Sequence, residues 1–167
     1  MSDWLLEKYL NIHPGFNSNE LTIWVLHADK TPPHIGISIK ESFYSLKING
    51  KDDGLAIPTL LQLMDKKEIP TLAITLNIPM SHEQVKSVFL SFGSKIGVNQ
   101  TCLSPITRLL TPQLNDLILI ELLSELDKQE QIKSVYGFNL PHGYVGIPNY
   151  TRETIQQRIH AVQPSER

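Results

Sequence analysis

The sequence predicts an α+β fold in which a central, mostly antiparallel sheet is packed with helices. Three observations carry this expectation. Short runs rich in β-branched and aromatic residues alternate with segments of helical period. Two of the runs, between residues 34 and 48, are separated by only two residues, a connection that suits an antiparallel hairpin. Finally, 167 residues that are 41% hydrophobic and 19% charged suit a single ordinary domain over residues 1–167, large enough to bury a core without disulfide or metal.

Ser2 or Asp3 caps a short helix through Leu10, and a turn-rich loop follows over residues 13–19. Leu21 to His27 reads as a strand, ended by the breaker segment Asp29 to Pro33. His34 to Lys40 alternates with period two, with Ile35, Ile37 and Ile39 on one face and His34, Gly36 and Ser38 on the other. A turn at Glu41-Ser42 would pair this strand with Phe43 to Ile48. Ile39 then faces Tyr44, Ile37 faces Leu46 and Ile35 faces Ile48. In that register the other face is polar throughout, and His34 stands opposite Asn49, with Ser45 diagonal to it. Asn49-Gly50 and Asp53-Gly54 break the chain before a helix from Ile57-Pro58 to about Lys67.

Ile69 to Ile78 is a further strand. Ser81-His-Glu-Gln84 has the form of a capping box, and Val85, Val88 and Phe89 recur behind it at helical spacing before Gly93. A loop from Ser94 leads to Cys102, Ser104-Pro105 starts a helical turn, and Thr111-Pro112 starts a longer helix to about Lys128. A last strand over Ile132 to Phe138, a Gly/Pro-rich loop over Leu140 to Tyr150 and a helix over Thr151 to Val162 complete the chain. Trp4, Trp24, Phe89 and Phe92 fall in the apolar patterns and read as core. The loop around His142 and Tyr144 reads either as a structural Ω-type loop or as a lid.

Charge narrows the function classes. Fifteen Lys+Arg against 17 Asp+Glu leave no cation excess to replace counterions on a phosphate backbone, which disfavours a nucleic-acid partner. The first ten residues carry acids where a secretory signal needs cations, and the apolar stretch Leu117 to Leu123 is interrupted by Glu121. Neither a signal peptide nor a membrane span is expected. With one cysteine there is no intrachain disulfide and no multi-thiolate zinc site, and a reducing, cytoplasmic setting is expected. Dinucleotide, phosphate-loop, nucleophile-elbow and zinc-protease motifs are missing, so no cofactor is expected. His27 and His34, at the ends of neighbouring strands with Asp29 nearby, form the one pairing to weigh for a metal, against the commoner reading of polar strand ends.

Cys102 and His34 are the residues best placed for chemistry. A thiol becomes nucleophilic as thiolate and needs a neighbouring imidazolium or helix N-terminus for that. No Lys or Arg lies within five residues of Cys102, so activation must come from a residue distant in sequence. His34 is the histidine that the strand pattern keeps off the apolar stripe. A small buried hydrophobe is the other ordinary role of a lone cysteine.

Several short motifs also occur in a telling order. A strand begins His34-Ile-Gly-Ile with a second strand close behind; a further strand and a helix entered by Pro79-Met-Ser-His-Glu-Gln84 follow; Asn99-Gln-Thr-Cys102 then opens a short helix. Over about residues 21–110 the chain resembles the circularly permuted papain-like cysteine hydrolases, relatives of the NlpC-type peptidases that include the lecithin:retinol acyltransferase-like and PPPDE groups. The resemblance implies a permuted papain-like fold and acyl cleavage or transfer at an amide or ester of a small-molecule, peptide or lipid substrate. It implies Cys102 as nucleophile, with its own backbone N–H as oxyanion donor, and His34 as general base. The family commonly carries a polar residue, often His, about where this chain has Leu46. Asn49 and Ser45 are the candidate substitutes for that third catalytic member. A domain that keeps the fold as a binding or scaffold module is the alternative.

Overall fold

The computed structural model describes residues 10–11, 15–114 and 116–162. Among the described residues, seven strands form one sheet in the order β1-β7-β6-β2-β3-β4-β5. They are β1 (Leu10–Asn11), β2 (Thr22–Leu26), β3 (His34–Ile39), β4 (Ser42–Lys47), β5 (Gly50–Ala56), β6 (Thr71–Leu76) and β7 (Ile132–Phe138). The helices are α1 (Ile57–Lys66), α2 (His82–Ser91), α3 (Ser104–Leu110), α4 (Leu119–Lys128) and α5 (Arg152–Val162). Strands β2 to β7 pair antiparallel, and β1 joins β7 in parallel. The molecule is therefore α+β with a mostly antiparallel sheet. No helix among the described residues is long and apolar enough to cross a membrane.

Alternation along the strands builds two cores. Ile23, Val25, Ile35, Ile37 and Ile74 face one side and pack on Val85 and Phe89 of α2, Ile106 of α3 and Leu122 and Leu126 of α4. Trp24, Leu26, Phe43 and Ala73 face the other and pack on Ile57, Leu60 and Met64 of α1. Every residue of β2 and β6 is buried, because both faces of the central strands are covered. Two polar residues of the second face, Ser38 and Ser45, are buried as well: Ser38 is fully enclosed and its Oγ accepts the Trp24 Nε1–H at 2.7 Å. Gly36 is required by the same packing, since a Cβ there would stand 2.4 Å from the Phe43 ring.

Four sequence expectations need correction. The β3–β4 hairpin closes on Lys40-Glu41, with Ile37 opposite Tyr44 and Ser38 opposite Phe43, a register two residues away from the expected one. Lys40 (φ 49°) and Glu41 (φ 67°) both take left-handed conformations, as a type I′ turn requires. Their amides donate to Asn19 and Ser18 carbonyls at 3.1 and 3.2 Å, so tertiary anchoring overrides their weak intrinsic preference for that turn. A shift of two leaves every side chain on its expected face but moves Asn49 away from the position opposite His34.

The segment read as a break is instead strand β5, which pairs with β4 from Lys47↔Gly50 to Ser42↔Ala56 around a bulge at Gly54 (φ 87°). Its charges suit an edge strand and hide its β character. The helix expected from Pro112 begins only at Leu119: Thr111 terminates α3, Asp116 is left-handed at φ 55°, and the Ile118 N–H that opens α4 donates to Glu121 Oε1 at 2.9 Å. Leu10, expected at the end of a first helix, lies in β1; the rest of that segment, Trp4 included, falls outside the described residues.

Candidate active site at the end of strand β3

The β3–β4 ladder stops at Ile37↔Tyr44, short of His34 and Lys47, and the loop leading to Cys102 occupies the gap. Ile96 N–H donates to the Lys47 carbonyl at 2.7 Å, which seats the loop against β4. Further on, Thr101 N–H donates to Ser104 Oγ at 2.8 Å and Leu103 N–H to Thr101 Oγ1 at 3.2 Å. These bonds turn the chain into α3, with Pro105 in its first turn. Ser104 thus serves the turn before the helix, and Leu103 stands at the cap without a side-chain bond.

The Cys102 sulfur is thereby brought to the backbone of β3. The backbone N–H groups of Ile35, the neighbour of His34, and of Cys102 itself act on it. Both favour thiolate, but burial outweighs them and pushes the thiol up to about 11. The thiol packs beside Leu46, Phe92 and Ile96. An imidazolium does not enter its surroundings, because burial also pushes His34 down to about 4. The Asp52 carboxylate pulls His34 upward, while Lys47 and His27 push it further down. The resting pair is neutral thiol and neutral imidazole. His34 Nε2 is buried with no hydrogen-bond partner among the described residues, a costly condition for a polar atom.

Cys102 and His34 line one cavity of about 480 Å³. Its walls near the thiol are apolar, including Ile35, Ile48, Leu119 and Ile159, and Tyr150 reaches in from the loop before α5. Burial, with the nearby Cys102 adding to it, raises the Tyr150 pKa against the pull of the Leu119 N–H at the start of α4. Asn49 also lines the cavity, from the exposed β4–β5 turn. Ser45 does not line it: it is buried on β4 and donates to Asp52 Oδ2 at 2.7 Å. Lys47 Nζ stands 3.3 Å from the other Asp52 oxygen. Asp52, Ser45 and Lys47 thus form a fixed group whose carboxylate acts on His34.

Sequence reasoning missed Asp52 and Tyr150. Asp52 sits on β5, and Asn49-Gly50 was the one hairpin signal that could have placed it opposite Ser45. Tyr150 lies in an irregular loop that carries no periodicity. His27 lines the cavity as well, but among the described residues no group of three or more His, Cys, Asp and Glu stands close enough to hold a metal ion. Comparisons with protein-family models, with curated proteins and with solved structures find no match to this chain.

Proposed function

We propose that this chain is a cysteine hydrolase or acyltransferase with the permuted papain-like arrangement, acting on an amide or ester through Cys102 and His34. The observation that carries the reading is that a loop from a distant part of the chain brings the single thiol into a cavity that His34 also lines. His34 Nε2 has no partner among the described residues, Cys102 Sγ included, so a nitrogen is available for the base and the thiol has to turn toward it to pass its proton.

Cys102 attacks the carbonyl carbon as His34 takes its proton, so the charged thiolate never has to persist in the buried site. The carbonyl oxygen takes the developing charge, met by the Cys102 N–H and the Tyr150 hydroxyl. As the C–N or C–O bond breaks, His34 passes the proton to the leaving amine or alcohol, and the acyl group remains as a thioester on Cys102. Water, or an acceptor alcohol or amine, then adds to the thioester and gives its proton to His34. Collapse releases the acid or transferred acyl product, and the proton returns to the sulfur. Asp52, held by Ser45 and Lys47, is the positioning residue that stabilises the transient imidazolium. Asn49, at the cavity mouth, contacts the leaving group.

The raised thiol and the buried Leu46 favour the second reading, a binding domain on the same fold. A panel of p-nitrophenyl esters separates the two. The hydrolase reading expects nitrophenolate release with an acyl mass on Cys102, abolished by Cys102→Ser and strongly reduced by His34→Ala. If the folded wild type takes no acyl group from any ester of the panel, the binding domain stands.

A further inference from the structure

We infer that the ligand of the Cys102 cavity is an anion, with an apolar segment beside the thiol and a carboxylate or phosphate at the mouth. This rests on the reading of that cavity as the ligand site and adds the class of compound it takes. The walls nearest the sulfur are apolar, whereas Lys30, Lys47 and Arg158 line the cavity and none of the described lining residues is acidic. Lys47 is answered by Asp52 at 3.3 Å. Lys30 and Arg158 are exposed and converge from the loop after β2 and from α5.

Their positive field is felt at His27, which burial, Lys30, Arg158 and Lys67 all hold below its ordinary pKa against the pull of Asp29. An arrangement of cations around a partly apolar cleft raises the local concentration of anions and steers them inward. Both sources of the charge, carboxylate and phosphate, share this chemistry. An acyl compound of this class would place its apolar part against Ile35 and Leu119 and its anion between Lys30 and Arg158.

The protein's single cysteine makes the test direct. Iodoacetate and iodoacetamide alkylate the same atom and differ in charge, so the ratio of their rates at Cys102, divided by that ratio for a neutral model thiol, reports the field in the cavity. The expected quotient is roughly tenfold above one at low salt, collapsing in high salt and falling to one or below in the Lys30→Glu/Arg158→Glu variant. The milder Lys30→Gln/Arg158→Gln pair should lie between. A quotient of one or less in the folded wild type, or one indifferent to these substitutions, overturns the proposal. Competition by a short-chain fatty acid against the matching alkyl phosphate then distinguishes the two anions. Because the ratio needs no turnover, a high quotient without ester cleavage would refute the hydrolase and leave the anion site. Ester cleavage with a quotient of one would do the reverse.

Discussion

Ser38 and His34 lie four residues apart on the same face of β3, and the chain treats them in opposite ways. Ser38 is fully buried among regular ladders and its hydroxyl is matched to the Trp24 indole at 2.7 Å. His34 begins the strand where the ladder to β4 has ended, and its buried Nε2 has no bond to any of the described residues. An unpartnered buried polar atom costs about 1–3 kcal/mol, so the second arrangement weakens the fold while the first supports it. Polar groups that complete the frame are satisfied by the frame; one left open is where a ligand can supply the missing partner.

The contrast is sharpest at Trp24, the largest fully buried side chain. Trp24→Ala should remove the centre of the α1-side core, where the indole meets Phe16 at 5.3 Å and Phe138 at 6.1 Å between ring centroids. A loss of about 3–5 kcal/mol in chemical denaturation is expected. A loss below about 2 kcal/mol would mean that this side of the sheet is not the rigid frame the comparison supposes.

Acid should act at the other pole. With its folded pKa lowered to about 4 against 6.5 in the unfolded chain, His34 stays neutral in the folded protein. Below pH 6.5 the unfolded chain binds the proton first, so stability is full above 6.5, falls as pH drops toward 4 and levels off below. The ceiling of this loss is on the order of 3 kcal/mol. His27, lowered in the same direction, steepens the same interval. Denaturation midpoints followed from pH 7 to 4 should show the decline, and His34→Leu should remove most of it. An equally steep decline in that variant would assign the loss to other groups.

How much of this was legible in the sequence follows the same division. The frame announced itself through period and composition: Thr22 to Leu26, His34 to Ile39 and Thr71 to Leu76 are strands as expected, and Ser81 closes its capping box with Gln84 at 2.8 and 3.1 Å. The hairpin register was not legible, because closure on Lys40-Glu41 or on Glu41-Ser42 matches the apolar stripes equally well and only the anchoring by Ser18 and Asn19 decides between them. Strand β5 was hidden because Gly50-Lys-Asp-Asp-Gly has no β preference of its own and is strand only by pairing with β4. The site followed suit. His34 and Cys102 could be singled out from pattern and order, but Asp52, which acts on His34 from β5, and Tyr150, which reaches the cavity from a loop, depend on pairings that a local pattern does not carry.

Ser38→Ala tests the frame more finely than Trp24→Ala. It deletes one hydroxyl without altering the sheet and leaves the indole N–H buried and unmatched, so a loss of about 1–3 kcal/mol is expected in the same denaturation assay. Trp24→Phe/Ser38→Ala, which removes both partners, should cost less than the sum of the two single changes. Strict additivity would show that the 2.7 Å bond contributes no coupling.

The smallest effect is expected at the site. His34→Leu takes away the unmatched nitrogen and sets an apolar side chain in its place, so the cost of the buried Nε2 disappears while some packing is lost. The two nearly cancel, and stability at pH 7 should stay within about 1 kcal/mol of the wild type. Cys102→Ser should behave similarly, because serine nearly matches cysteine in size and shape. The check is equilibrium denaturation at pH 7 with circular dichroism to establish that both variants are folded, alongside the ester assay in which both should be deficient. A loss of about 3 kcal/mol or more in His34→Leu would place His34 with Ser38 as part of the frame. The division between satisfied structure and open site would then not hold along β3.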